Sequence, residues 1–179
     1  EVTHRGRIAV SQAKIYSRPE RETHLVGAAV SQATAAWLGG WADGLLTVGY
    51  GPASVRKVVE AFRRGGGENK PVYFKMDLCW ARKEQEALAQ AHEQWRFNIL
   101  GGNLCWDLRM PEDFEQASRF IRPEDVRQSI HVSADLGRQA AWIAEYADIG
   151  FAAIDLHNVG GNQEAFIDAF GERVLPEFA

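Results

Sequence analysis

The chain of 179 residues is 46% hydrophobic and has a net charge of −4, its basic and acidic residues interspersed along the whole length. That size buries one sizeable core and makes one domain, and the lack of a clustered basic stripe argues against a nucleic-acid or polybasic membrane surface. No apolar run approaches the roughly 20 residues that span a bilayer, so no membrane association is expected. The two cysteines, Cys79 and Cys105, are too few for a disulfide framework and too far apart for a redox or zinc spacing. A reducing, cytoplasmic setting is the simpler expectation. The chain opens at Glu1 without a methionine, which suggests a piece of something longer.

Residues 1–24 have no helical stripe. Short polar-apolar stretches flank Gly6 and lead to Pro19, as a hairpin or extended arm would. The part from 25 to 179 alternates strands and helices. A small apolar strand, Leu25–Ala29, runs into a helix over Gln32–Gly39 opened by Ser31, and Asp43-Gly44 leads to a strand over Leu45–Val48. A helix is expected over Ala53–Arg64, where Val55, Val58, Val59 and Phe62 fall at helical spacing. After Gly65-Gly66-Gly67 comes a strand over Val72–Trp80. Its Val72, Phe74, Met76, Leu78 and Trp80 point one way, and its Tyr73, Lys75, Asp77 and Cys79 the other.

A long helix is expected over Lys83–Phe97, with further helices beginning at Pro111 and Pro123, each proline followed by acidic residues. His131–Ser133 is short, Ser133 or Asp135 caps a helix to Ala147, and Phe151–His157 is the last strand, closed by a helix over Gln163–Phe170. Four strands separated by helical sequence predict a parallel α/β sheet with right-handed crossovers. The third and fourth strands put charged groups on one face, which suits the partly polar interior of a (β/α)8 barrel near its C-terminal mouth. A full barrel takes about 250 residues, so the expectation is a TIM-barrel-type half-barrel of four parallel strands.

Several stretches carry a resemblance. Ala13–Pro19 (AKIYSRP), Leu25–Val48 with its Ala42-Asp43-Gly44, Gly65–Met76, Pro123–Asp135 (PEDVRQSIHVSAD) and Gly150–Pro176 resemble, in order and spacing, the C-terminal half of the luciferase-like flavin oxidoreductases. The likeness is to the bacterial-luciferase superfamily, near the branch of deazaflavin-dependent glucose-6-phosphate dehydrogenases. It implies a barrel holding FMN or a deazaflavin coenzyme in its mouth, with hydride-transfer or monooxygenase chemistry on a small organic substrate. It also implies that the four N-terminal strands, with much of the ring pocket and the usual proton donors, are absent from this chain. The expected partner is that missing half-barrel or, failing it, a second copy, because a half-barrel leaves two sheet edges open.

Two constellations stand out. At the junction of the first strand and helix, Val30, Ser31, Gln32, Ala33 and Thr34 offer free backbone N–H groups, the positive end of a helix dipole and a hydroxyl, which together suit a cofactor phosphate. The simpler role for Ser31 is an N-cap contributing about 1 kcal/mol. Thr47, at the end of the second strand, is expected to face the same mouth and join the cofactor site. On the polar faces of the last two strands, His157 and Asp77 are the candidate catalytic pair: His157 meets cofactor or substrate and Asp77 orients it. Lys75 and Asp155 read more simply as a charge-neutralising network. Where the glucose-6-phosphate branch supplies a lysine to the sugar phosphate, the matching neighbourhood here holds Tyr50, Gln128 and Glu164, so a phosphosugar activity is not carried over. Most of the six tryptophans read as packing, with Trp80 and Trp106 as possible walls of a flavin site. The histidines make no ligand spacing, so no metal is expected. Two rival readings are a flavin-binding protein without turnover and a phosphate-binding barrel aldolase or isomerase with Lys75 as Schiff-base nucleophile.

Overall fold

Residues 72–79 alternate apolar and polar side chains for a full eight residues, and the sheet is built around them. In the computed structural model, which describes residues 1–179 apart from the side chain of Asn103, this strand, β5 (Val72–Cys79), is bonded to three others, all parallel to it. On one side lies β4 (Gly44–Val48), from Leu45 opposite Val72 to Val48 opposite Lys75. On the other lies β7 (Ala153–Asn158), from Ala153 opposite Tyr73 to Asn158 opposite Leu78. Outside β4 runs β3 (Val26–Ala28). The four expected strands therefore stand in sequence order, and β3 and β7 are the two edges. A fifth, two-residue strand, β6 (His131–Val132), pairs with Leu78 and Cys79 beyond the end of β4.

Before the sheet, β1 (Val2–Arg5) and β2 (Ala9–Ala13) form an antiparallel hairpin whose side chains are almost all exposed.

The helices α1 (Gln32–Gly39), α2 (Pro52–Phe62), α6 (Leu136–Ala147) and α7 (Gln163–Arg173) share one core with the sheet. Strand residues Leu45, Val72, Phe74, Met76 and Leu78 meet Leu38, Val59, Phe62, Ile143, Tyr146 and Phe170 in that core. Phe74 is fully buried, stacked on Tyr146 at 4.7 Å and on Phe151 at 5.0 Å between ring centroids. The opposite face of the sheet is the inner surface of the half-barrel. Because parallel partners in register share a face, it presents Ala28, Leu46, Val48, Tyr73, Lys75, Asp77, Ala153, Asp155 and His157.

The α1–α2 contact depends on glycine. A Cβ on Gly65 would run into the carbonyl group of Ala36, and one on Gly39 into the carbonyl oxygen of Phe62. Past Phe62 the helix widens into a π turn, Arg63–Gly67, in which Gly66 takes a φ of 109°. This ends the helix two residues before the expected Arg64.

Between β5 and β6 the chain makes an excursion over the C-terminal ends of the strands. It comprises α3 (Glu84–Trp95), a 3₁₀ turn Arg96–Leu100, α4 (Gly102–Asp107), α5 (Pro111–Ser118) and a second 3₁₀ turn, Pro123–Gln128. The segment at Pro123 is therefore not the α-helix that its proline and acids predict. Asp125 reaches back to the Arg122 N–H at 3.1 Å and the Ser129 N–H closes on the Val126 carbonyl, a three-residue pitch that turns the chain directly into β6. A small apolar cluster of Cys79, Ala87, Ala91, Val126, Ile130, Val132 and Val159 seals the excursion to the sheet. Glu84 pins it further, accepting from Arg127 Nη2 at 2.6 Å and from the Ala134 N–H at 2.7 Å. Burial would raise the Glu84 carboxyl, but these donors outweigh it and hold it below the usual carboxylate range.

Candidate functional site

The C-terminal ends of parallel strands are where barrels and open α/β sheets gather ligands, because the loops and helix N-termini converge there. At the end of β3, Ser31 caps α1. Its Oγ accepts from the Thr34 N–H at 3.2 Å and donates to Thr34 Oγ1 at 2.9 Å. Val30, Ser31, Gln32, Ala33 and Thr34 are all exposed, and the first helical N–H groups, those of Gln32 and Ala33, have no acceptor within the helix. From Leu25 to Ala42 there is not one charged residue, so the segment that forms the junction carries no carboxylate to repel an anion. A cleft of about 340 Å³, lined by Ala28, Ala29, Val30, Leu46, Val48 and Lys75, leads from this junction into the inner face. The residues fit a phosphate with an organic group extending down the cleft.

Thr47 does not belong to the inner face. It pairs in register with Phe74, so its side chain points to the helices, where it is buried and its hydroxyl makes no hydrogen bond within the protein. The expectation that it faces the mouth is corrected by this register. The residue is nonetheless among those that edge the cleft.

Lys75, Asp77 and His157 do come together. Asp77 Oδ1 accepts from Lys75 Nζ at 2.8 Å and from His157 Nδ1 at 2.6 Å. The Asp77 carboxylate is the most enclosed of the three, with 12% of its side chain exposed against 34% for Lys75 and 39% for His157. With Nδ1 carrying its proton toward Asp77, neutral His157 presents the lone pair of Nε2. That is the arrangement in which a carboxylate fixes the tautomer of an imidazole acting as acid or base. Lys75 Nζ is engaged by Asp77 Oδ1 at 2.8 Å, whereas a Schiff-base lysine needs its nitrogen free to attack a carbonyl. Asp155 stands on the same face opposite Lys75, exposed and in no ion pair among the described residues.

Trp95, at the last residue of α3, completes the cluster. Its ring lies edge-on to His157 at 5.2 Å, with Lys75 Nζ 5.7 Å from its centroid. Its indole N–H is buried without a partner. The helical stripe of α3 marks Trp95 only as a packing residue, and its place is set by the way the excursion folds over the strand ends. The expected walls fare differently. Trp80 is buried in the core with Nε1 donating to the Ala134 carbonyl, and Trp106 is 87% exposed, away from the cluster's contacts. Trp37 and Trp41 are exposed too, forming an edge-to-face pair at 5.0 Å beside the β3 edge.

A second group beside the mouth is structural. Tyr146 accepts the Gly51 N–H at 2.8 Å and donates to His131 Nε2, which lies 3.2 Å away. Tyr50 and Trp142 flank the imidazole at 4.9 and 4.6 Å. Gly51 has a φ of 86°, a conformation that only glycine adopts at no cost, so this bond fixes the β4–α2 turn. Burial pushes the Tyr146 hydroxyl up to about 12 and His131 down from 6.5 to about 4. A histidine that stays neutral when folded but binds a proton when unfolded makes stability rise with pH between those values, at about 1.4 kcal/mol per pH unit. Urea midpoints should therefore fall as pH drops from about 6.5 to 4. His131→Asn should flatten that decline; an unchanged slope in the variant would assign it elsewhere.

Cys79 is a buried thiol, pushed up to about 11 by burial and donating to the Ala87 carbonyl, which makes it an inert packing residue. Among the described residues no three His, Cys, Asp or Glu side chains converge on a metal position. No helix among the described residues is long and apolar enough to cross a membrane. A larger cavity, about 690 Å³, lies between the hairpin and residues 18–22. Its walls are surface arm residues remote from the strand ends.

Sheet order, helices on one face and the clustered polar residues at the strand ends define the class: a TIM-barrel-type (β/α) half-barrel. The family described as luciferase-like monooxygenase matches residues 1–165, and the chain belongs to it. Over 173 residues it is 27% identical to an F420-dependent glucose-6-phosphate dehydrogenase of Amycolatopsis mediterranei (strain U-32), covering 92% of this chain and 52% of the relative. A protein of the same description from Microbacterium testaceum (strain StLB037) is 23% identical, with 98% and 54% covered. Among solved structures, an F420-dependent secondary alcohol dehydrogenase in complex with an F420-acetone adduct superposes with a TM-score of 0.83 at 16% identity, over 97% of this chain and 55% of that one. The coenzyme F420-dependent tetrahydromethanopterin reductase of Methanopyrus kandleri gives 0.63 at 16% identity, over 86% and 50%. The chain spans about half the length of the relatives it matches.

Proposed function

We propose that this chain is the C-terminal half of a deazaflavin- or FMN-dependent oxidoreductase. In this reading Val30–Thr34 hold the cofactor phosphate and His157, oriented by Asp77, exchanges a proton with the substrate. The observation that carries the reading is the Asp77–His157 pair at the same end of the sheet as the uncapped N–H groups of α1. The F420 dependence of the named relatives favours a deazaflavin over FMN. When bound, such a cofactor accepts or delivers a hydride.

The residues of this chain do the rest. Gln32 and Ala33 direct backbone N–H groups at the phosphate, with the Ser31 hydroxyl beside them. Ala28, Leu46 and Val48 line the cleft beyond it. His157 Nε2 takes the hydroxyl proton of a substrate being oxidised and returns it in the reverse direction. The partner that completes the ring pocket is an N-terminal half-barrel seated on the open edges of β3 and β7; a second copy is the other occupant those edges admit. Two free thiols suit a reducing, cytoplasmic setting.

The test is cofactor binding by this chain joined to its N-terminal half. Ser31→Asp, which sets a carboxylate where the phosphate belongs, should weaken binding of coenzyme F420 or FMN at least about tenfold, by a charge repulsion of order 1–4 kcal/mol. Ser31→Ala should cost only about 1 kcal/mol of stability. Cofactor titrations unchanged in Ser31→Asp would remove the phosphate site from this junction.

A further inference from the structure

We propose that the inner face takes an uncharged substrate bearing a hydroxyl or carbonyl group, and that Asp77 excludes phosphorylated and carboxylated compounds by occupying Lys75. This rests on the oxidoreductase reading and adds the substrate class to it. Among the described residues Lys75 is the one Lys or Arg on the inner face, and its ammonium lies 2.8 Å from Asp77 Oδ1. The same oxygen holds the His157 Nδ1 proton. Asp155 adds a second carboxylate opposite Lys75, so the face carries one ammonium against two carboxylates and is net negative with His157 neutral.

An anionic substrate would have to draw Lys75 away from Asp77. That leaves an enclosed carboxylate without its cation, which is unfavourable. An uncharged substrate disturbs nothing: its hydroxyl donates to the free lone pair of His157 Nε2, and the corresponding carbonyl accepts from the protonated ring. The surroundings are otherwise apolar, with Leu46 and Val48 on the cleft wall and the Trp95 ring standing over both Lys75 and His157. The substrate class therefore departs from the sugar phosphate in the names of the relatives.

The experiment follows the imidazole ¹⁵N signals of His157 and the indole N–H signal of Trp95 in this chain joined to its N-terminal half. The probes are inorganic phosphate, glucose 6-phosphate and 2-propanol. With the phosphate junction closed by Ser31→Asp in every sample, the two phosphates should cause no saturable shift in the otherwise unaltered protein, whereas 2-propanol moves both signals. Asp77→Asn frees the ammonium and should gain phosphate binding about tenfold or more, and the double variant with Lys75→Met should lose it again. Saturable binding of glucose 6-phosphate to the unaltered protein, as tight as to Asp77→Asn, would overturn the proposal. Should Asp77→Asn not fold, Lys75→Met alone decides: a phosphate response in the unaltered protein that this variant abolishes would also overturn it. Failure of the oxidoreductase reading shows separately, as no bound flavin or deazaflavin absorbance, and leaves the anion measurement standing.

Discussion

Gly65→Ala is expected to destabilise the fold by upwards of about 3 kcal/mol, the top of the usual range for overpacking. The added methyl has no flexible neighbour to push aside. It meets the Ala36 carbonyl group, part of the α1 backbone, so relief requires α1 and α2 to separate along their whole contact. That contact also anchors α1, whose N-terminus is the proposed phosphate site, so cofactor binding should fall with stability. Gly39→Ala meets the Phe62 carbonyl oxygen from the other helix and should behave alike. Gly171 in α7 is the control, because a Cβ there meets nothing within 4 Å. Alanine at that position should be neutral or stabilise by up to about 1 kcal/mol. Urea midpoints of the three variants in the completed barrel check this, and a Gly65→Ala midpoint equal to that of Gly171→Ala would mean that the helices do not cross as closely as described.

On the proposed oxidoreductase reading, His157→Ala in this chain joined to the N-terminal half should lower the rate of cofactor reduction by the proposed uncharged hydroxyl substrate about 10²- to 10⁴-fold, the usual contribution of a positioned acid–base group. Cofactor affinity should fall far less, since the proposed phosphate junction is on α1 and His157 is on β7. His157→Gln keeps a hydrogen-bonding group but no proton acceptor of comparable basicity, and it should be almost as slow. Single-turnover absorbance of the bound cofactor separates this step from binding. An unaltered single-turnover rate in both variants would assign proton transfer to the other half of the barrel and leave His157 as a binding group.

How much of this could be read from the chain depended on how strongly local pattern constrains each part. The eight-residue alternation in β5 fixes which face each side chain takes, so Lys75 and Asp77 could be placed on the polar side, and Asp155 and His157 on the same side of β7. Their convergence on one oxygen also needs the β5–β7 register, which no local pattern encodes. In β4 the sequence Gly-Leu-Leu-Thr-Val is largely apolar on both faces, leaving no parity to read, so only the register with β5 places Thr47 toward the helices. Ser31 as an N-cap is legible because capping is a matter of three neighbouring residues. Trp95 is the opposite case: its contact with His157 spans 62 positions and depends on the whole excursion from Glu84 to Gln128 closing over the strand ends. The exposure of Trp37 and Trp41 is of the same kind, since the spacing of a helix stripe does not say which side the fold covers.

The two edge strands of the sheet are also its first and last in sequence. Seen end-on, such a sheet is an arc whose two tips are its own first and last strands, β3 and β7. On the proposed half-barrel reading, the complement joins through either tip, so a circularly permuted chain with this segment placed first is expected to close the same ring.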